Sequence, residues 1–576
     1  MRNRGALLRL FALLMSLTLI AAACGGDDDD DDDAGGGEDT TATTAEEEDE
    51  GGADGEPVAG GTLVLGAEQE PECVDWIASC AGASWGIWTL GAYTMPRVHD
   101  FDQESGELVP SPLMASAPTL EDDEAGGMTV TYEIAEEAVW SDGEPITSED
   151  FKYTAEQIRD GDDIYDKSGY EHITNVDTTD PKVAVVEFGT DYAAWKDLFG
   201  GFYGVYPSHI LSGGDRNAQM NDGYEWSGGP WKLEEWVKGT EMRLIPNENY
   251  WGQKPHLDSV VFRFVPDTAA EVEAIQSGQV QAIYPQAQLE LEALTDLPGY
   301  EFSVIDSLNY EALWFNTDKP GLDNVVVRQA LAYATDRQAI VDALFKPVNP
   351  EIEPIHGFIT PANSKWYQDP FSVYTHDLDK VTELMEGDGW TKGSDGVWEK
   401  DGQRAAFELN STAGNARRER TGEILQAQWA EAGFELTLNY TEAGTLFGEW
   451  GPQGIMVIGL YAQVPPSTDP GICSTFCSDN IPTTENPSGQ NWTRLESAAI
   501  DEPWTAADSE LDEDKRLELV EQGHQALADE VPGLPIDPFP DIVVYNSEVI
   551  NGPIGHNVVY GPFWNMHEWW CTGGEC

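Results

Sequence analysis

Apolar residues recurring at a period of two mark strands along this chain, and a period near 3.6 marks helices. Residues 61–66 (GTLVLG) read as a first strand, and 128–134 (MTVTYEI) alternate as a strand with one buried face should. The runs at 183–188 (VAVVEF) and 259–265 carry the same signature. An apolar stripe at helical spacing covers 325–345 (VVVRQALAYATDRQAIVDALF), and a second helix is predicted over 417–433, stopping at Gly433. In the second half strand and helix alternate: 405–409, the helix from Arg417, then 434–440 (FELTLNY) and 455–461 (IMVIGLY). That order predicts βαβ units in a mixed α/β protein, with ligands expected beyond the carboxyl ends of the strands. No internal repeat is visible.

Composition adds size and charge to this picture. The chain has 576 residues, 40% of them hydrophobic, with 20 Trp, so it can bury a large core. At about 150 residues per domain, two to four domains are expected. Thirty basic residues stand against 105 acidic ones, a net charge of −75. Phosphate recognition draws on clustered Lys and Arg, so nucleic acid and anionic lipid are excluded as main partners. Such a surface should also tolerate salt, because ions screen its self-repulsion.

The amino-terminal residues read as an address. Arg2, Arg4 and Arg9 precede 14 uncharged residues from Leu10 to Ala23, a run too short to span a bilayer comfortably and typical of a secretory signal. Leu19-Ile20-Ala21-Ala22-Ala23-Cys24 resembles the lipobox of bacterial lipoproteins, in which the cysteine is diacylated, although Ala21 stands where Leu is usual. Cys24 is therefore the expected lipidation site, following a signal peptide over 1–23. Residues 25–56 hold 16 acidic residues and no basic ones, a composition that cannot bury enough apolar surface to order itself. Residues 24–56 are read as an acidic tether; about 32 flexible residues reach roughly 30 Å, and further where like charges repel.

Six further cysteines form three close pairs: Cys73 with Cys80, Cys473 with Cys477, and Cys571 with Cys576. Outside the cytosol such pairs read most simply as disulfides, although six cysteines allow about 15 connectivities. Zinc is the rival reading, but no pair has C-x-x-C spacing and no His lies close enough to complete a ligand set. No metal or cofactor is expected. Catalytic motifs are weak. Gly82-Ala83-Ser84-Trp85-Gly86 matches the nucleophile elbow G-x-S-x-G, yet no apolar strand leads into it, as an elbow requires. With 105 acids, paired carboxylates carry no information about catalysis.

Other stretches are more specific. Residues 139–151 (VWSDGEPITSEDF) combine an Asp142-Gly143 turn, a stiffening Pro145 and a helix cap at Ser148 before a helix from about Glu149. They resemble the "WSDGxPxTAxDF" segment of the extracellular solute-binding proteins of family 5, the oligopeptide, dipeptide and nickel group of ABC importers. Residues 228–251 (GGPWKLEEWVKGTEMRLIPNENYW) and 313–342 (LWFNTDKPGLDNVVVRQALAYATDRQAIVD) resemble further blocks of that family, in the same order. The resemblance covers nearly the whole mature chain.

It implies a periplasmic-binding-protein-like α/β fold (type II, cluster C), with two lobes in three domains and a hinge. Domain I would gather 57–97, 225–312 and 534–576, domain II 98–224 and domain III 313–533, with crossings near 97, 224, 312 and 533. The implied function is a non-enzymatic, monomeric substrate-binding lipoprotein, located outside the cytoplasm and lipid-anchored to the cell membrane. It captures an oligopeptide or other bulky solute by lobe closure and delivers it to an ABC permease and its ATPase subunits. An extracellular hydrolase, and a non-transporting receptor or chaperone on the same fold, are the alternatives.

Peptide-binding members end a strand in "G-W-x-x-D", whose Asp pairs with the peptide's α-amino group. The matching stretch here is Gly459-Leu460-Tyr461-Ala462-Gln463, which places Gln463 where the acid stands; a neutral amide gives no charge-assisted bond to an ammonium. Asp469, six residues on, is the alternative acid. Trp76, Trp85, Trp88 and Trp314 fall in segments expected to face the cleft, with Tyr461 beside them, and aromatic rings suit sugar faces and apolar groups as well as peptides. Arg417 and Arg418 are candidates for an anionic group, or else helix-terminal residues packed against acids.

Overall fold

The computed structural model describes residues 56–576 except 79–84, 103–106, 123–126, 202, 287–288, 306, 466–467, 485–488 and 556. The chain divides into two units, Met1–Gly51 and Gly52–Cys576. The signal segment, Cys24, most of the tether, Cys80 and Ser84 lie outside the described residues, so the architecture below is that of the second unit.

Three sheets organise it. Seven strands run, in spatial order, Tyr300–Ile305, Asp541–Asn546, Ala282–Ile283, Thr62–Ala67, Ser259–Phe264, Glu241–Pro246 and Trp231–Val237. The first predicted strand pairs in parallel with Ser259–Phe264. It buries Leu63 and Leu65, as its alternation requires. An antiparallel four-stranded sheet (Thr119–Asp122, Met128–Glu133, Val183–Phe188, Ile173–Asp180) shares one core with this sheet, in which Val130, Val186, Phe262 and Trp231 are wholly buried. These two sheets make the first lobe.

The second lobe is built on a five-stranded sheet: Glu435–Thr441, Ala406–Thr412, Ile458–Gln463, Tyr310–Phe315 and Gly533–Pro538. The βαβ expectation is met here, since Ala406–Thr412 and Glu435–Thr441 are parallel and joined by the helix Ala416–Ala432. That helix ends at Gly433 in the left-handed conformation (φ 96°), which a residue with a Cβ adopts at a cost. Leu313, Leu409, Leu460, Trp429 and Leu534 lie in a second large core.

The remaining differences from expectation have local causes. The stripe at 325–345 folds as two helices, Val325–Ala334 and Arg337–Leu344. The Asp336 side chain accepts from the Ala339 N–H (2.9 Å), which starts a new helix after an extended Thr335. The helix predicted near Glu149 spans Ser148–Asp160, and its cap is Thr147, in a reciprocal capping box with Asp150. Tyr310–Phe315 and Gly533–Pro538 lie side by side in the five-stranded sheet, while Tyr300–Ile305 and Asp541–Asn546 pair in the seven-stranded one, so the chain changes sheet between Ile305 and Tyr310 and between Pro538 and Asp541. Cys473 is bonded to Cys477 and Cys571 to Cys576. No described helix is long and apolar enough to cross a membrane.

Candidate functional site

A cavity of about 560 Å³ opens between the lobes, walled by side chains of both. Two strand ends reach it, as expected for ligands beyond carboxyl termini: Glu68 follows Thr62–Ala67, and Gln463 ends Ile458–Gln463. The lobes meet around it through specific bonds. The Ala193 N–H donates to the Asp508 carbonyl (2.7 Å), and the Gln490 amide donates to the Tyr165 carbonyl (2.9 Å). Elsewhere the lobes are joined by a bond from the Asn415 amide to Gln286 (2.6 Å) and by the ion pair Arg420–Glu290 (2.6 Å). The Cys473–Cys477 bridge also lines the cavity.

Aromatic rings form much of the wall. On the first lobe Trp85 and Trp88 pack edge to face (5.6 Å, 79°), and Tyr284 stands perpendicular to Trp88 (5.3 Å, 89°). Trp76, Trp85 and Trp88 all line the cavity. On the second lobe Tyr461 lines it, held flat against Trp314 (5.2 Å, 15°) and edge-on to Phe447 (5.5 Å, 86°). Trp314 is not one of the lining residues. It is 2% exposed, stacks among Tyr461, Phe358 and Phe476, and donates its indole N–H to the Tyr461 carbonyl (3.1 Å). The expected cleft residue is thus the support behind Tyr461, because Tyr461, Phe358 and Phe476 enclose its ring, while Tyr310 of the same strand does reach the cavity wall.

The charged candidates are sorted in the same way. Gln463 and Asp469 both line the cavity. Asp469 is already bound to Arg516 by two hydrogen bonds (2.6 and 2.8 Å), so its charge is offset within its own lobe. Arg417 does not line the cavity; it is 2% exposed, paired with Glu311 (2.6 Å), near Asp537 (3.8 Å) and stacked over Phe539 (4.4 Å). Its neighbour Arg418 does line it, while holding the other Glu311 oxygen (2.8 Å). Burial alone would raise the Glu311 carboxyl, but Arg417 and Arg418 more than reverse this and hold it below the ordinary range. Burial raises the Asp537 carboxyl well above its ordinary value, with Arg417 pulling the other way.

Apart from Asp469, sequence reasoning missed the acids of the site. Burial pushes Glu68 up to about 7, against the Gln286 N–H and the two arginines. On the first lobe Asp166 and Glu171 line the cavity, and on the second Asp508 does. Burial raises Glu171 and Asp508 to about 7 each. In a chain so rich in acids, only the fold could single these out; the one signal available was Glu68 at a strand's carboxyl end.

Two α/β lobes joined by crossing strands and enclosing a cavity between them define the class of two-lobed binding proteins. Comparison with known proteins narrows this. Residues 109–482 match the family model described as bacterial extracellular solute-binding proteins, family 5 Middle. The chain is 24% identical over 544 residues to the oligopeptide-binding protein AppA of Bacillus subtilis, covering 90% of this chain and 92% of that protein. The structure of that protein with a nonapeptide superposes with a TM-score of 0.78 at 21% identity, covering 90% of this chain and 100% of the other. NikZ of Campylobacter jejuni, in complex with Ni(L-His), gives a TM-score of 0.75 at 20% identity, covering 88% and 99%. This chain belongs to the bacterial extracellular solute-binding proteins of family 5.

Proposed function

We propose that the protein is the monomeric capture component of an ABC importer, closing its lobes on a peptide-like or other bulky solute and handing it to a permease served by ATPase subunits. The observation that carries this reading is the cavity walled by both lobes, whose aromatic faces and strand-end polar groups come together only when the lobes close. Relatives named for oligopeptides support the solute class. We read the domains as 57–97 with 225–312 and 534–576, 98–224, and 313–533; sheet crossings within a few residues of 312 and 533 support the last two boundaries. Outside the cytoplasm, a diacylated Cys24 and the acidic tether would hold the protein at the membrane.

Gentle purification, unfolding and mass spectrometry of the released small molecules test the reading. A stoichiometric peptide or comparable solute is expected. A fraction without one, together with no heat of binding to a peptide library, would refute it. Replacing Cys24→Ser should free the protein from the membrane fraction, and its retention there would remove the lipid anchor from the account.

A further inference from the structure

The Cys473–Cys477 bridge lies in the wall of the cavity. Its cysteines bracket a single helical turn, Cys473–Phe476, closed by a bond from the Cys477 N–H to the Cys473 carbonyl (2.8 Å). Cys473, Ser474, Thr475 and Cys477 border the cavity, while Phe476 among them is 1% exposed and belongs to the second core. There Phe476 stacks on Trp314 (5.8 Å, 30°) and packs against Phe358 (4.8 Å, 54°). Phe358 itself lines the cavity, and Trp314 is the ring on which Tyr461 lies. The turn thus faces two ways, with its sulfurs and hydroxyls toward the solute space and one ring under the aromatic wall.

Polar bonds anchor the chain at the end of this turn. The Asn491 amide donates to the Phe476 and Cys477 carbonyls (3.0 and 3.1 Å), and Ser478 donates to Asp501 through its N–H and its hydroxyl (2.8 and 2.7 Å). A helical turn of four residues does not hold itself in water, because nucleation costs more than its first bond returns. The covalent bridge carries the anchorage at Cys477 across to Cys473 and so fixes the stretch that borders the solute space. Its effect on the unfolded chain is modest, since that effect grows with the loop closed and the two cysteines are only 4 positions apart. The Cys571–Cys576 bridge, with a separation of 5, constrains the unfolded chain to nearly the same degree, but neither of its cysteines borders the cavity.

We propose that the Cys473–Cys477 bridge is a positioning element of the solute site: oxidised, it holds Phe476 beneath the aromatic wall, and reduced, it lets that wall relax so that solute affinity falls. The inference rests on the function proposed above. In reduction a dithiol gives two electrons and two protons to the S–S bond; both sulfurs become thiols, and the dithiol closes to its own disulfide. Both cysteines border the cavity, so a solute between the lobes covers the bridge against thiolate attack. Linkage requires the same at equilibrium, because a solute that binds the oxidised form more tightly makes the bridge harder to reduce.

Calorimetry with the tripeptides Ala-Phe-Ala and Ala-Ala-Ala tests this on wild type and on two paired variants, Cys473→Ala with Cys477→Ala and Cys571→Ala with Cys576→Ala. The first variant should bind Ala-Phe-Ala about threefold or more weakly than wild type, and lose less for Ala-Ala-Ala, because the change lies in the aromatic wall. The second should bind both peptides as wild type does. Timed reduction of wild type by dithiothreitol, followed by alkylation and mass spectrometry, needs no variant. Saturating Ala-Phe-Ala should slow the opening of Cys473–Cys477 severalfold and leave that of Cys571–Cys576 unchanged. Unchanged affinity in the first variant, an equal loss for both peptides, or a rate of reduction indifferent to the peptide would overturn the inference and leave the capture function standing. A wild-type protein that binds neither peptide would overturn the inference too, and the capture function would then rest on the copurifying solute alone.

Discussion

Two adjacent arginines show how much one residue's placement decides. Arg417 and Arg418 share Glu311, but Arg417 turns into the core toward Asp537 and Phe539 while Arg418 borders the cavity. Sequence named both and could not separate them, because a helix's first turn offers no register until its neighbours are known. Arg417→Leu leaves Glu311 with Arg418 as its partner and takes the neighbouring cation from Asp537, so it should cost about 1–3 kcal/mol in denaturant unfolding. Its effect on solute affinity should be less than about threefold, since affinity changes tenfold only per 1.4 kcal/mol at the site itself. Asp508 makes the complementary case. Its carboxyl is raised by burial to about 7, so the folded state holds that proton more tightly than the unfolded chain does. The stabilisation from this proton is complete below the ordinary carboxylate range and is lost as pH rises toward 7. Asn cannot lose a proton, so ligand-free Asp508→Asn should melt higher than wild type at about pH 8 and alike at about pH 4. A variant less stable at the higher pH would show that the carboxylate is satisfied where it lies.

The elements were legible where one face is buried. Met128–Glu133 and Val183–Phe188 alternate in burial as they alternate in sequence, Thr62–Ala67 does so over Thr62 to Leu65, and the bounds of all three shift by a residue at most from expectation. Tyr310–Phe315 was not read as a strand: neighbouring strands on both sides bury every position, Glu311 included, so the segment has no alternation by which to tell its facing. For that reason Trp314 read as a cleft residue. The break in the stripe at 325–345 was hidden for another reason: two consecutive helices kept one apolar face, and only the Asp336 cap divides them. Asp336→Ala should cost about 1 kcal/mol of stability, the worth of an N-cap, without changing solute affinity. An unchanged midpoint in denaturant would mean that the break is set by packing instead of by the cap.

At the scale of the molecule, the two-lobed fold was readable from ordered sequence blocks, and the binding chemistry was not. The cavity is assembled from segments as far apart as Glu68, Asp166, Tyr461 and Asp508, none of which carries a local pattern saying that it will meet the others. Apart from Asp469, the acids that line it were lost against the 105 in the chain. What the assembled structure adds is a reason for closure to depend on the solute: aromatic faces and polar groups from both lobes border one space that a solute between them would fill. Small-angle scattering tests this most directly, on protein unfolded to release its solute, refolded and then titrated with the same solute. The radius of gyration should fall as the sites fill and reach its final value at one solute per protein. A radius that stays constant through saturation would contradict capture by closure.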